Sequence, residues 1–333
     1  MVIKSPPVSF DIGLTVNRQG RPALDCQFSV PRVLGTVASL TADMSVSSFI
    51  AHSFSLGYVL PLGSSWRFTA DVVKQVNDFH ASSSFSEAVE GVGLGWSNGR
   101  HRFGLDAHLR DIYPLISGPT FVASEQIRRV PLRSIKTAFT YTYSLDHIVR
   151  ESGHIVHGHA FGLRTELAGL FGDVEMIKIN SHLSLHRRIW KGLIWHGRIG
   201  GGWKQSSPIQ DRFFLGGTNE ETFAFRGFAN RSIGPSAKRQ CFIDSPSGAS
   251  MDYLGADAFS VIDSVLSFPV YMNIKGLLFL QGGSLAGRRL AAGAGIRVPI
   301  GSVGSVELTF GAPLISAPTD TSQCMQIGIR MSK

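Results

Sequence analysis

No stretch of this chain approaches the roughly 20 consecutive apolar residues that a membrane-spanning helix needs. The longest candidates, such as GLLFL from Gly276 to Leu280, are strand-sized. If the chain crosses a membrane it does so as strands closed into a barrel, because lipid offers unpaired backbone groups no other partner. Charge is also scarce: Asp, Glu, Lys and Arg make up 17% of the 333 residues, below the roughly 25% of soluble domains. Cysteine is confined to Cys26, Cys241 and Cys324. That odd, widely separated set without CxxC spacing points to neither a disulfide framework nor a metal site. The opening MVIKSPPVSF has no charged segment followed by an apolar one, so no cleavable secretory leader is expected, which argues against a bacterial exported precursor. The net charge of +8 is spread without any block of five or six Lys or Arg. It reads as ionisable groups lining a wet lumen and flanking a bilayer rather than as a nucleic-acid footprint.

What the chain does contain is glycine, 37 residues, and a 43% hydrophobic share arranged in alternation. In 175–187, Ile177, Ile179, Leu183 and Leu185 share one face, opposite Lys178, Asn180, His182, Ser184 and His186. Period two means a strand between two unlike environments. The same register recurs in 101–110 and 135–146. Alternation alone does not separate a soluble sandwich from a membrane barrel, but length does. Soluble strands cluster near five or six residues, whereas these patterns persist for about ten, the span of a tilted transmembrane strand. The expected fold is all-β: a transmembrane antiparallel barrel of about 16 strands, one domain over 1–333, with a long loop at 205–250 between strands 11 and 12. The strand after that loop is expected near 251–268. A second long connection, Tyr113 to Ser134, carries Pro114, Pro119 and Pro131, which break any strand there.

Across the long loop and its far edge, DRFFLGG, FRGF, SIGP and DYLG follow one another between Asp211 and Gly255. In order and spacing these four motifs resemble the signature loop of the outer-membrane protein assembly-factor (bacterial surface antigen) superfamily. Within it, the similarity is to the central barrel subunit of the mitochondrial sorting and assembly machinery. VRESGH near Val149, LAGLFGDVEMIK from Leu167, GAGIRVPIG from Gly293 and the terminal QIGIRMSK extend it. That family usually carries a soluble polypeptide-transport-associated domain before the barrel, whereas here the first strand is expected near residue 9, so a barrel without that domain is expected.

The resemblance implies a membrane insertase that folds β-barrel precursors into the mitochondrial outer membrane, with those precursors, peripheral subunits of the complex and the bilayer as partners. It implies a loop folded into the lumen and built on Asp211, Arg212, Phe213, Gly216, Gly217, Arg226, Gly227, Phe228, Gly234 and Pro235. Arg226, at the tip, is expected to meet Asp257 and Gln281. A lateral seam is expected between the first and last strands, at Phe10, Gly13, Gln326, Gly328 and Met331. The last strand fits a sorting signal of the form polar, any, Gly, any, any, hydrophobic, any, hydrophobic at Gln326, Gly328 and Met331, but not at Lys333.

His154, His157 and His159 lie close together with no completing carboxylate or cysteine, so no metal is expected. Asp146, His147 and scattered serines read as lumen-facing polar residues rather than a hydrolase site. GRIGGGW from Gly197 is followed by neither a helix nor GK[ST], which argues against a phosphate loop. No cofactor and no enzymatic reaction are expected. Other readings are a solute- or protein-conducting channel of a mitochondrial or plastid outer membrane and, more remotely, a soluble carbohydrate-binding sandwich.

Overall fold

Strands that alternate over ten or more residues pair with their chain neighbours, because a short turn returns the chain beside itself in antiparallel register. The computed structural model describes residues 8–16, 22–33, 36–47, 51–63, 65–118, 121–151, 154–205, 208–218, 224–241, 251–300 and 304–331. Its long strands are β1 (Ser9–Val16), β2 (Pro22–Pro31), β3 (Ser39–Val46), β4 (His52–Leu62), β5 (Trp66–Asp78), β6 (Phe85–Asn98), β7 (His101–Pro114) and β8 (Arg133–Asp146). They continue as β9 (His154–Gly172), β10 (Met176–Trp190), β11 (Leu193–Gln205), β12 (Ala258–Tyr271), β13 (Ile274–Ser284), β14 (Arg288–Ile300), β15 (Gly304–Ile315) and β16 (Met325–Met331). Each pairs antiparallel with the next, from β1 to β16. β1 and β16 approach each other, yet no ladder joins them among the described residues.

The two faces are inverted relative to a water-soluble sheet. Along β8, Ile135 and Phe139 are 48% and 37% exposed while Lys136 between them is 3% exposed. Ile177, Ile179, Leu183 and Leu185 are likewise exposed. Apolar side chains thus point outward and ionisable ones inward, the arrangement that hydrocarbon outside and polar packing inside would stabilise. Among the described residues, no helix is long and apolar enough to cross a membrane.

The three longest connections gather at one end of the sheet, after β7, β11 and β15, with the 79–84 turn beside them, while β4–β5, β6–β7, β10–β11 and β12–β13 turn tightly at the other. At the long-loop end, Phe85, Ile112, Ala123 and Ile127 form a buried cluster with Phe79, Leu115, Val130, Ile209 and Leu254 packed on it. Tyr113 and Pro114 belong to β7, and the connection beyond them is ordered: Phe121–Val122 pairs with Gln240–Cys241, and Glu125–Arg128 makes one helical turn. Pro119 lies outside the described residues.

One boundary corrects the sequence reading. The strand expected from 251 is interrupted: Met251–Tyr253 pairs with Ser236–Lys238, Ala256 bridges Phe213, and β12 begins only at Ala258. Backbone groups of 251–254 and 256 pair with the long loop, and β11 is re-engaged only at Asp257, whose carbonyl accepts from the Lys204 amide at 2.8 Å, so the loop extends from the end of β11 to residue 256.

Candidate functional site

The long loop returns along the inner face and ends in a tip at residues 224–228. Gly227 sits at φ +86°, a left-handed conformation that favours glycine. The tip also needs room. A Cβ on Gly311 of β15 would stand 2.9 Å from the Gly227 nitrogen, so that glycine makes the close approach possible.

Arg226 is 3% exposed. Its Nε and Nη2 donate to Glu307 Oε1 at 3.0 and 2.8 Å, and Asp263 Oδ2 lies 3.6 Å from Nη1. The guanidinium stands over the Phe279 ring at 5.3 Å. Arg297 Nη2 donates to the other Glu307 oxygen at 2.8 Å, which sets Arg297, Glu307, Arg226 and Asp263 in a row of alternating sign. Two glutamines hold the main chain. Gln281 Oε1 accepts from the Arg226 amide at 2.7 Å and Nε2 donates to Ala224 O at 3.2 Å. Gln326 Oε1 accepts from the Gly227 amide at 3.2 Å and Nε2 donates to Phe228 O at 2.6 Å. Gly227 and Phe228 also pair with Gln323 and Ser322, just before β16.

The expected partners of Arg226 are therefore corrected. Asp257 does not meet it: its Oδ1 lies 3.0 Å from Lys204 Nζ and 3.5 Å from Arg212 Nε, at the rim. Asp263 is six residues further along, roughly 20 Å of extended chain, and that places it level with the tip. Gln281 meets the Arg226 main chain and not its guanidinium. Glu307 was missed, although a signal existed: an acid between Val306 and Leu308 in an alternating strand must face inward.

The start of the loop is pinned by Asp211. It is 5% exposed, with Lys136 Nζ 2.6 Å from Oδ1 and Arg110 Nη1 2.8 Å from Oδ2. Lys178 Nζ donates to its carbonyl at 2.8 Å, and Lys136 also meets Glu166 at 2.5 Å. Burial opposes the Asp211 charge, yet the Arg110 and Lys136 cations outweigh it and hold the carboxyl well below the usual carboxylate range. Phe213, Leu215, Phe225, Phe228 and Ile233 then pack with Phe259, Val261, Leu285 and Ala291 into a core.

Gly216 has φ +121°, and a Cβ there would lie 2.1 Å from Ala229 O. Gly217 donates to Phe228 O at 3.0 Å and accepts from Phe225 at 2.9 Å. Gly234 lies against Leu285, and Pro235 O accepts from the Leu254 amide at 2.8 Å. Nearer the rim, the fully buried Asp252 accepts from Arg239 Nε at 2.8 Å, Ser84 Oγ at 2.6 Å and the Ser124 amide at 2.7 Å. That carboxylate ties three connections together and had no signal in the sequence beyond its place in DYLG.

Of the residues expected at the seam, Phe10 and Gly13 lie in β1, and Gln326, Gly328 and Met331 in β16. Gln326 and Gly328 face the loop, a Cβ on Gly328 standing 3.3 Å from Thr218 Oγ1. Gly95–Gly99 spells GWSNG, the spacing of a nucleophile elbow, but it lies at the β6–β7 hairpin, where no helix follows. The strained strand-to-helix turn that exposes a nucleophilic serine is not formed.

Two predictions follow from these contacts. Gln326→Leu orphans the buried Gly227 amide, a cost of about 1–3 kcal/mol, and should lower the thermal midpoint without changing strand content by circular dichroism. Gly216→Ala combines a left-handed φ with a backbone clash and should cost more than about 2 kcal/mol, read as faster proteolytic cleavage within residues 206–256.

The profile of the Omp85 superfamily domain matches residues 32–331. The sorting and assembly machinery component 50 homolog of Bos taurus is 23% identical over 90% of this chain and 66% of its own length, and that of Mus musculus is 24% identical over the same shares. The chain thus spans slightly under two thirds of these relatives. BamA from Haemophilus ducreyi, in a structure lacking POTRA domains 1–3, superposes with a TM-score of 0.78 at 14% identity, covering 96% of this chain and 69% of that one. CdiB from Acinetobacter baumannii superposes with a TM-score of 0.56 at 12% identity, covering 98% and 60%. With the profile spanning nearly the whole sheet and the loop seated within it, this chain belongs to the Omp85 superfamily.

Proposed function

We propose that this chain is the membrane barrel of an insertase that folds β-barrel precursors into the mitochondrial outer membrane. Sixteen strands form the barrel, and its seam lies between β1 and β16. The observation that carries this reading is a missing ladder: among the described residues β1 and β16 are neighbours without pairing, while the other adjacent pairs are laddered. In hydrocarbon an unpaired strand edge leaves N–H and C=O groups unsatisfied at several kcal/mol each. An incoming strand removes that cost by adding to the edge, through main-chain hydrogen bonds that are indifferent to most side chains. Gly328 of β16 contributes no side chain to that seam. The likeness to sorting and assembly machinery component 50 homologs supports the mitochondrial outer membrane as the location and peripheral subunits of that machinery as partners.

The test is depletion in the native cell, followed by the rate at which newly imported barrel precursors assemble, with a helix-anchored outer-membrane protein as control. Selective loss of barrel assembly is expected. Normal assembly with altered solute flux would sink this reading in favour of a channel.

A further inference from the structure

At the short-turn end, away from the loop, a cavity of about 490 Å³ opens at the β4–β5 and β6–β7 turns. Arg67, Arg100 and Arg102 line it with Ser97 and Ser144, and no carboxylate does. The register explains the convergence: Arg67 of β5 stands opposite Ser97 of β6, which stands opposite Arg102 of β7. Two guanidinium groups thus flank one serine on the same face, about 10 Å apart at their backbones. Arg100 is fixed at the turn, where its carbonyl accepts from the Ser144 amide at 2.8 Å. No ion pair engages any of the three arginines among the described residues.

Like charges in a concave wall repel one another and focus a positive potential. Three guanidinium forks around hydroxyl donors match the oxygens of a phosphate, which accepts such forks bidentately. The site also lies at a definite height. Trp66 lines the cavity, and Trp66 and Trp96 stay exposed on the outward face, as indoles do at a headgroup boundary. Phe68 packs on Trp96 at 5.3 Å between ring centres, continuing an apolar surface away from the cavity mouth. We infer that this rim cavity is a phosphate-binding site at the membrane interface. Arg67, Ser97 and Arg102 alternate with the outward aromatics and so face inward at the edge of the sheet. Two sources meet that chemistry: the headgroup of an anionic phospholipid that folds over the rim from chains lying along Trp66, Phe68 and Trp96, or free inorganic phosphate. The inference uses the membrane placement proposed above and is independent of insertase activity.

The full chain, in detergent, is titrated with phosphatidylglycerol, phosphatidylcholine and inorganic phosphate, and bound species are counted by native mass spectrometry. Phosphatidylglycerol is expected to bind about tenfold more tightly than phosphatidylcholine, and the double variant Arg67→Gln/Arg102→Gln to lose that preference. Arg128→Gln/Arg129→Gln, at the opposite end, removes the same two charges and should bind as the wild type does. Binding of inorganic phosphate with no lipid preference, lost in the double variant, keeps the phosphate site and assigns it the free source. Equal lipid and phosphate binding by the wild type and the double variant overturns the inference. Heat-modifiable mobility on gels reports folding. Should the double variant not fold, Arg67→Lys/Arg102→Lys retains charge but not the forks, and weakened binding to it carries the same conclusion, while undiminished binding overturns it.

Discussion

Arg226→Glu is expected to unseat the tip of the long loop. The substitution sets a carboxylate against Glu307 and Asp263, both of which lie within 4 Å of the present guanidinium. It also leaves Glu307 with Arg297 as its remaining cation from that row. Removing one partner of a buried ion pair costs about 3–5 kcal/mol, because the other charge stays desolvated, and here repulsion adds to that. The expected result is a lowered thermal midpoint, protease access to the tip and, if the proposed function holds, slowed precursor assembly. Arg226→Lys keeps the sign but loses the fork on Glu307 and should fall between the two. A double-mutant cycle of Arg226→Ala with Glu307→Ala isolates the pair, with an expected coupling of about 1–3 kcal/mol. Additive single effects would show that the two residues do not act together and would sink this account of the tip.

Asp211→Asn should be comparably severe at the other anchor. It removes the anion shared by Arg110 and Lys136, leaving Glu166 beside Lys136 and Glu87 4.0 Å from Arg110 as their remaining acids, so the cost is set at about 3 kcal/mol, the low end for a broken buried pair. Here pH provides an internal check. The Asp211 carboxyl is held below its ordinary range, so its stabilisation is fully present above the unfolded value of about 4. It is lost as pH falls through the lower folded value. The stability gap between wild type and Asp211→Asn, followed by thermal unfolding, should therefore be constant from neutral pH down to about pH 4 and narrow below it. A gap that narrowed instead on the alkaline side would mean that the carboxylate is not the anchor.

Sequence reasoning carries far here because a strand's two faces are a local property. Ile135, Lys136 and Phe139 declare their sides by parity alone, and the inverted exposure of these residues follows from the solvent outside rather than from anything distant. The long loop was legible as well, since DRFFLGG, FRGF, SIGP and DYLG hold their order and spacing within it. What parity does not contain is height. Asp257 and Asp263 share a face, and only the path of the loop along the sheet decides that Arg226 meets the second.

Glu307 and Gln326 lie far along the chain from Arg226 and come beside it through the register of β15 and β16. Asp252 is fixed by three connections that converge at one end. Met251–Tyr253, apolar and alternating enough to read as part of a membrane strand, pairs with the loop instead. The sequence by itself therefore determined the strands, their faces and the family-like loop, all of which depend on neighbours a few residues away. The tertiary structure alone decided which charges meet and where β12 begins, because ion pairing and strand pairing are settled by distances between segments that the local pattern does not encode.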